Sequence, residues 1–186
     1  MSTQSHKVKF TYEDYLLFPD NGKRHELIDG EHYMTPAPST KHQRISSKLH
    51  LAMGTYVNRN KAGIVFAAPI DVVLSDLDVV QPDLLFISSA KSSIITEKNI
   101  QGAPDLIIEI TSETTRKTDE VIKRKLYEHY GVQEYWIVDP EVETVKIYRL
   151  TDRGYARTGE LALDTGDSLT TPLLPKFQIP LTEIFK

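Results

Sequence analysis

The sequence has no cysteine, which removes disulfides and thiolate metal sites from consideration. That is compatible with a reducing compartment. No apolar run approaches the roughly 18 residues that a membrane span needs, and the opening MSTQSHKVKF lacks the apolar core of a secretory signal. The expectation is therefore a cytoplasmic protein. There is no glycine-rich phosphate loop and no nucleophile elbow, and the six histidines are scattered rather than spaced as zinc ligands. An excess of positive charge is missing too: 22 Lys and Arg stand against 26 Asp and Glu, for a net charge of −4. A nucleic-acid-binding domain is more often basic. The balance does not exclude that class, because a metal site gathers acids and a local basic patch still holds phosphates.

What is present is ordinary globular material. With 186 residues, 40% hydrophobic and 26% charged, the chain is long enough to bury about 70% of its unfolded surface as one domain over 1–186. Thr11 followed by Glu13 and Asp14 reads as a capped helix start, ending near the turn-rich Phe18-Pro19-Asp20-Asn21-Gly22. Arg24 to Met34 reads as a β-hairpin about Asp29-Gly30, a pair suited to a two-residue type I′ turn. Ser39 or Thr40 caps a helix running to about Asn60, with Ile45, Leu49, Ala52, Met53, Tyr56 and Val57 at helical spacing. One turn further back on that stripe lies His42.

Strands are expected over 64–68, 70–74 and 83–87, with a polar turn at 75–78. A short helix is expected over 92–98. Leu106-Ile107-Ile108-Glu109-Ile110 is apolar in both alternation phases, so it reads as a strand covered on both faces. A helix capped within 111–115 follows and ends at Tyr130-Gly131, where glycine suits the position after the last turn. Strands 134–138 and 144–150 read as a hairpin, and the segment around 173–181 as late edge strands and a terminal docking turn. Helices flanking a mixed sheet indicate an α/β or α+β domain.

The chemistry centres on two acids. A charge inside the 106–110 strand costs several kcal/mol or more unless it is partnered. Asp83 opens the preceding strand, and consecutive strands are neighbours in about two-thirds of cases. If these two are neighbours, Asp83 and Glu109 converge on one hard cation, Mg²⁺ or Mn²⁺. The competing reading has Asp83 capping a turn after Pro82 and Glu109 paired with a buried Lys or Arg.

On the helix that follows, Ile122, Leu126 and Tyr130 form the expected packed face. Lys123 lies about 60° from its centre, and Lys125 about 100° the other way. Lys123 is thus the basic residue best placed between core and cleft, unless it only covers apolar surface with its stem. Asp119, Lys123 and Tyr127 repeat at i, i+4, i+8, which is also the spacing of a surface acid–base ladder. Arg116, Lys117, Lys123, Arg124 and Lys125 could together hold a phosphate backbone. Glu26 reads equally as a cross-strand ion-pair partner, and His42 as a core histidine.

Several stretches together resemble a known family. They are Arg24-His25-Glu26-Leu27-Ile28-Asp29-Gly30-Glu31, Lys41-His42, Val80-Gln81-Pro82-Asp83-Leu84 and Ala103-Pro104-Asp105 through Ile110. Asp119 through Lys123 to Tyr127 and Gly131-Val132-Gln133-Glu134-Tyr135-Trp136-Ile137-Val138-Asp139-Pro140 complete the series. Over about residues 10–185 the chain is similar to the Uma-type family of putative restriction endonucleases, within the PD-(D/E)XK nucleases. The resemblance implies a restriction-endonuclease-like core: a central mixed sheet flanked by helices, with an N-terminal hairpin and C-terminal edge strands. It implies Mg²⁺-dependent (or Mn²⁺-dependent) cleavage of nucleic acid, most naturally DNA, by a possible homodimer. It places Asp83, Glu109 and the Ile110 carbonyl on the metal. Glu26 and His42 match two further polar positions. The lysine normally two residues after the second acid is replaced by Thr111, and Lys123 matches the relocated lysine, with Lys125 close by.

Overall fold

The computed structural model describes residues 8–186; the first seven residues of the stretch read for a secretory signal lie outside the described residues. The chain runs through Tyr12–Tyr15 (α1), Arg24–Ile28 (β1), Glu31–Thr35 (β2), Thr40–Asn60 (α2), Gly63–Ala67 (β3), Val72–Ser75 (β4), Asp78–Val80 (β5) and Leu84–Ser88 (β6). It continues with Ile100–Gln101 (β7), Leu106–Ile110 (β8), Arg124–His129 (α3), Glu134–Asp139 (β9), Thr144–Thr151 (β10) and Gly154–Ala162 (β11). Ser168–Thr170 (β12), Gln178–Pro180 (β13) and Leu181–Phe185 (α4) end it.

Local chemistry explains the early elements. Thr11 caps α1 in a reciprocal box with Asp14. Asp29 and Gly30 both take positive φ, at 51° and 69°, as the tight hairpin turn between β1 and β2 requires. Ser39, rather than Thr40, caps α2: its hydroxyl accepts from the His42 amide at 3.2 Å.

The central sheet has six strands in the order β11-β10-β9-β8-β6-β3. It is mixed, because β8 and β9 run parallel while the other pairs are antiparallel. All five residues of β8 are buried, as its unbroken apolar pattern predicts. Leu106, Ile108 and Ile110 face a core formed with Ile45, Leu49, Met53 and Val57 of α2 and with α4. Ile107 faces the opposite core with Leu126, Tyr127, Tyr135 and Ile137. Each buried aliphatic contributes about 1.5–3 kcal/mol, which holds β8 in place despite the acid within it. A second sheet, ordered β2-β1-β5-β4-β7, packs on that same face through Ile28, Val72, Val80 and Ile100. Helices on both sides of a mixed sheet make an α+β fold.

Several boundaries differ from expectation. Asp83 immediately precedes β6 rather than opening it. The polar segment at 75–78 turns directly into β5, which pairs with both β1 and β4. The helix expected over 92–98 is a 3-10 turn at Ser89–Ile94. The largest departure follows β8. In place of one regular helix, a π-turn spans Thr118–Lys123 before α3. The wider i→i+5 repeat rotates the packed face. Asp119, Lys123, Leu126 and Tyr127 are buried, whereas Ile122 and Tyr130 are half-buried. Among the described residues, no helix is long and apolar enough to cross a membrane.

Candidate active site

Antiparallel pairing of β6 with β8 sets Leu84 opposite Ile108. One step further along the same register, Asp83 stands opposite Glu109, on the face where the second sheet and α3 pack. The five residues singled out in the sequence therefore meet. Glu26, His42, Asp83, Glu109 and Lys123 all line one cavity of about 710 Å³, together with Arg24, Ile110 and Asp119.

Asp83 is held from three directions. Arg24 Nη1 lies 2.6 Å from its Oδ1, His42 Nε2 lies 2.9 Å from Oδ2, and the Ile110 amide donates to Oδ2 at 2.8 Å. Burial alone would raise its pKa; the bonds and charges of His42 and Arg24 outweigh burial and hold it below the usual carboxylate value. His42, in the first turn of α2, is thus neither a free base nor a generic core histidine.

Glu26 and Glu109 share the Lys123 ammonium, at 2.8 and 3.0 Å, each through Oε1. Glu26 Oε1 also accepts from the Gln81 amide, and Glu109 Oε1 from the Tyr127 hydroxyl, both at 2.8 Å. Burial pushes Glu109 up to about 8; Lys123 opposes this, while Asp119, Asp83 and Glu26 add to it. For Lys123, burial works against the charge, but Glu109, Glu26 and Asp119 overcome it and keep the ammonium protonated well past neutrality. Lys125 lies elsewhere, in a shallow groove with Ile122, Leu126 and Tyr130. The π-turn places Lys123, not Lys125, against the acids.

The donor set has the chemistry a hard divalent cation prefers, all oxygen and no sulfur. Among the described residues, however, no three His, Asp or Glu side chains are gathered to grip one ion. The Lys123 ammonium already stands between Glu26 and Glu109, and Arg24 between Asp83 and the exterior.

The expectation of a basic face changes. Arg116, Lys117, Lys123, Arg124 and Lys125 do not form one basic face. Lys123 is buried, Arg116 pairs with Asp139 at 2.8 Å, and Arg124 lies over the Tyr148 ring at 5.4 Å. Residues not singled out for the site also enter it. Arg24 arrives through a partner distant in sequence, which no local pattern signals. Asp119 and Tyr127 carried a signal in their repeat with Lys123, but that spacing belongs equally to an exposed ladder.

The family model described as "Uma2: Putative restriction endonuclease" matches residues 12–182. A comparison with curated proteins gives no significant match. Among solved structures, a putative nuclease from Anabaena variabilis ATCC 29413 superposes with a TM-score of 0.79 at 20% sequence identity. The alignment covers 95% of this chain and 97% of that one. At that identity the likeness shows a shared fold.

Proposed function

This chain belongs to the Uma2 family of putative restriction endonucleases, and from that premise we propose that it is a Mg²⁺- or Mn²⁺-dependent endonuclease acting on DNA. One observation carries the reading: Asp83 and Glu109, on adjoining strands, open into one cavity with a buried lysine ammonium 3.0 Å from Glu109. Asp83, Glu109 and the Ile110 carbonyl would hold the ion. Bound there, a divalent cation lowers the pKa of water and offsets charge developing on the phosphate.

The protein's own groups supply the rest. Lys123 presents a fixed positive charge to the pentavalent phosphorus, in a dry site where such a charge acts strongly. Glu26 orients that ammonium through its 2.8 Å contact, and is in turn fixed by the Gln81 amide. His42 and Arg24 keep Asp83 ionised, and Arg24 is placed to meet a phosphate oxygen. A homodimer would cut both strands of a duplex; sedimentation of the free chain tests that part separately.

Asp83→Ala and Glu109→Ala, each with an unchanged circular dichroism spectrum, should lose Mg²⁺-dependent cleavage of DNA. Cleavage that persists in both variants sinks the proposal. A second reading is a nuclease fold that binds DNA or a protein partner without cutting, and the lack of three clustered donors among the described residues favours it. Calorimetry separates the two, since a site that takes up no Mn²⁺ supports the second.

A further inference from the structure

Four buried carboxylates line the cavity, and three of them are matched to cations: Asp83 to Arg24 and His42, Glu26 and Glu109 to Lys123. The fourth, Asp119, is 3% exposed and, among the described residues, makes no ion pair. The Thr115 side chain, one turn earlier, favours its ionised form. A buried acid without an ion pair of its own is costly, and the more distant charge of Lys123 offsets only part of that cost.

The backbone that presents Asp119 is held by side chains. The Tyr135 hydroxyl donates to the Asp119 carbonyl at 3.1 Å, and Arg124 Nε donates to the Glu120 carbonyl at 2.9 Å. Two carbonyls of the π-turn are thus satisfied from outside the helix ladder, which fixes the wide register. Without it, Asp119 and Lys123 would not both face the cavity.

Resting on the nuclease reading above, we propose that Asp119 is a further catalytic residue, the carboxylate that takes the proton of the attacking water. The other candidates are committed. Asp83 has its oxygens on Arg24, His42 and the Ile110 amide. Glu26 and Glu109 serve Lys123. His42 Nδ1 is buried and, among the described residues, has no hydrogen-bond partner, and its Nε2 is on Asp83. In the step, the water oxygen bonds to phosphorus and its proton passes to an Asp119 oxygen. The bond from phosphorus to the leaving ribose oxygen breaks, that oxygen keeps the electron pair, and it takes a proton from solvent. Burial, joined by Glu26 and Asp83 and opposed by Lys123 and Thr115, brings Asp119 up to about 6. A base of that strength is ionised at neutral pH yet accepts a proton readily.

The test compares wild type, Asp119→Asn and Asp119→Glu on duplex DNA with Mg²⁺, alongside Mn²⁺ calorimetry and thermal melting. The Asn variant should lose about 10²–10⁴-fold in kcat, the range for a removed general base, with KM and Mn²⁺ affinity unchanged. It should melt no lower than wild type, since a buried charge without an ion pair of its own is gone. The acidic limb of the kcat–pH profile should vanish with it, and the Glu variant should recover at least a tenth of the lost rate. An Asn variant within threefold of wild type overturns the proposal, as does a loss of rate matched by lost Mn²⁺ binding or a lowered melting point. Wild type that cleaves nothing overturns the nuclease reading itself, whereas active wild type beside an equally active Asn variant overturns this proposal alone.

Discussion

Arg24 Nη1 and Asp83 Oδ1 lie 2.6 Å apart, joining the first strand of the hairpin to the residue before β6. The carboxylate proposed to hold a metal is therefore already matched by a guanidinium, and a cation arriving at the site competes with it. The arginine then becomes available to a phosphate oxygen, for which its planar fork is suited.

Arg24→Met should consequently tighten Mn²⁺ binding by about tenfold, or ~1.4 kcal/mol, because a positive charge beside the ligand is removed. Stability should fall by about 1–3 kcal/mol. That is less than the ~3–5 kcal/mol for breaking a fully buried pair, because His42 and the Ile110 amide still hold Asp83. Calorimetry and denaturant melting read both effects. Weaker Mn²⁺ binding in the variant would falsify the competition.

The two neighbouring lysines should separate cleanly. Lys123→Ala removes the ammonium that Glu26 and Glu109 share and leaves a buried acid without its cation, at a cost of about 3–5 kcal/mol, and activity should collapse with it. Lys125→Ala, in its open groove, should stay within ~0.5 kcal/mol and keep its cleavage rate. Assays run well below each variant's melting point distinguish loss of chemistry from loss of fold. Equal losses of rate in the two variants refute the assignment of Lys123.

How much of this could be read from the chain depends on whether the cause was local. The Asp29-Gly30 turn, the Ser39 cap and the two-faced apolar run of β8 each carry their reason within a few residues. The meeting of Asp83 with Glu109 was legible as well, because consecutive strands tend to adjoin. The π-turn was not, since a helical wheel assumes one fixed repeat and the contacts that sustain the wider one come from Tyr135, on a later strand. Arg24 stands in the hairpin and in the stretch that carries the resemblance, but its pairing with Asp83 lies beyond any short-range pattern. The second sheet is illegible for a different reason: β5 has three residues and β7 two, too few for any alternation to register.

The Glu134-Tyr135-Trp136 run, which gives the resemblance much of its specificity, serves packing at Glu134 rather than chemistry. Glu134 is 1% exposed and accepts from Trp136 Nε1 at 2.6 Å, Arg149 Nε at 3.0 Å and the Thr171 hydroxyl at 3.1 Å. Glu134→Ala would leave those donors unsatisfied, costing about 2–4 kcal/mol. Cleavage by the folded fraction should stay within twofold of wild type. A variant that melts normally but fails to cut would put Glu134 in the active site.

Protons should leave when metal binds. Glu109, raised to about 8 by burial and then by its acidic neighbours, is protonated at neutral pH, yet a ligand must be ionised. Asp83, held low, has no proton to give. Titrating Mn²⁺ at pH 7 in buffers of different ionisation enthalpy should therefore show release approaching one proton, falling away as the pH passes 8 and absent in Glu109→Gln. The same shift has a sign for stability. Because the folded state binds more protons than the unfolded one between the ordinary glutamate value of 4.5 and about 8, the metal-free protein should lose stability as pH rises through that window. Asp119 acts in the same direction between 3.8 and about 6. Lys123, also raised, contributes stability that is present below its unfolded pKa and fades only at strongly alkaline pH. A metal-free chain that grows more stable from pH 5 to 8, or a binding enthalpy indifferent to buffer, would mean that Glu109 is ionised in the folded protein and that the field of neighbouring acids does not govern this site.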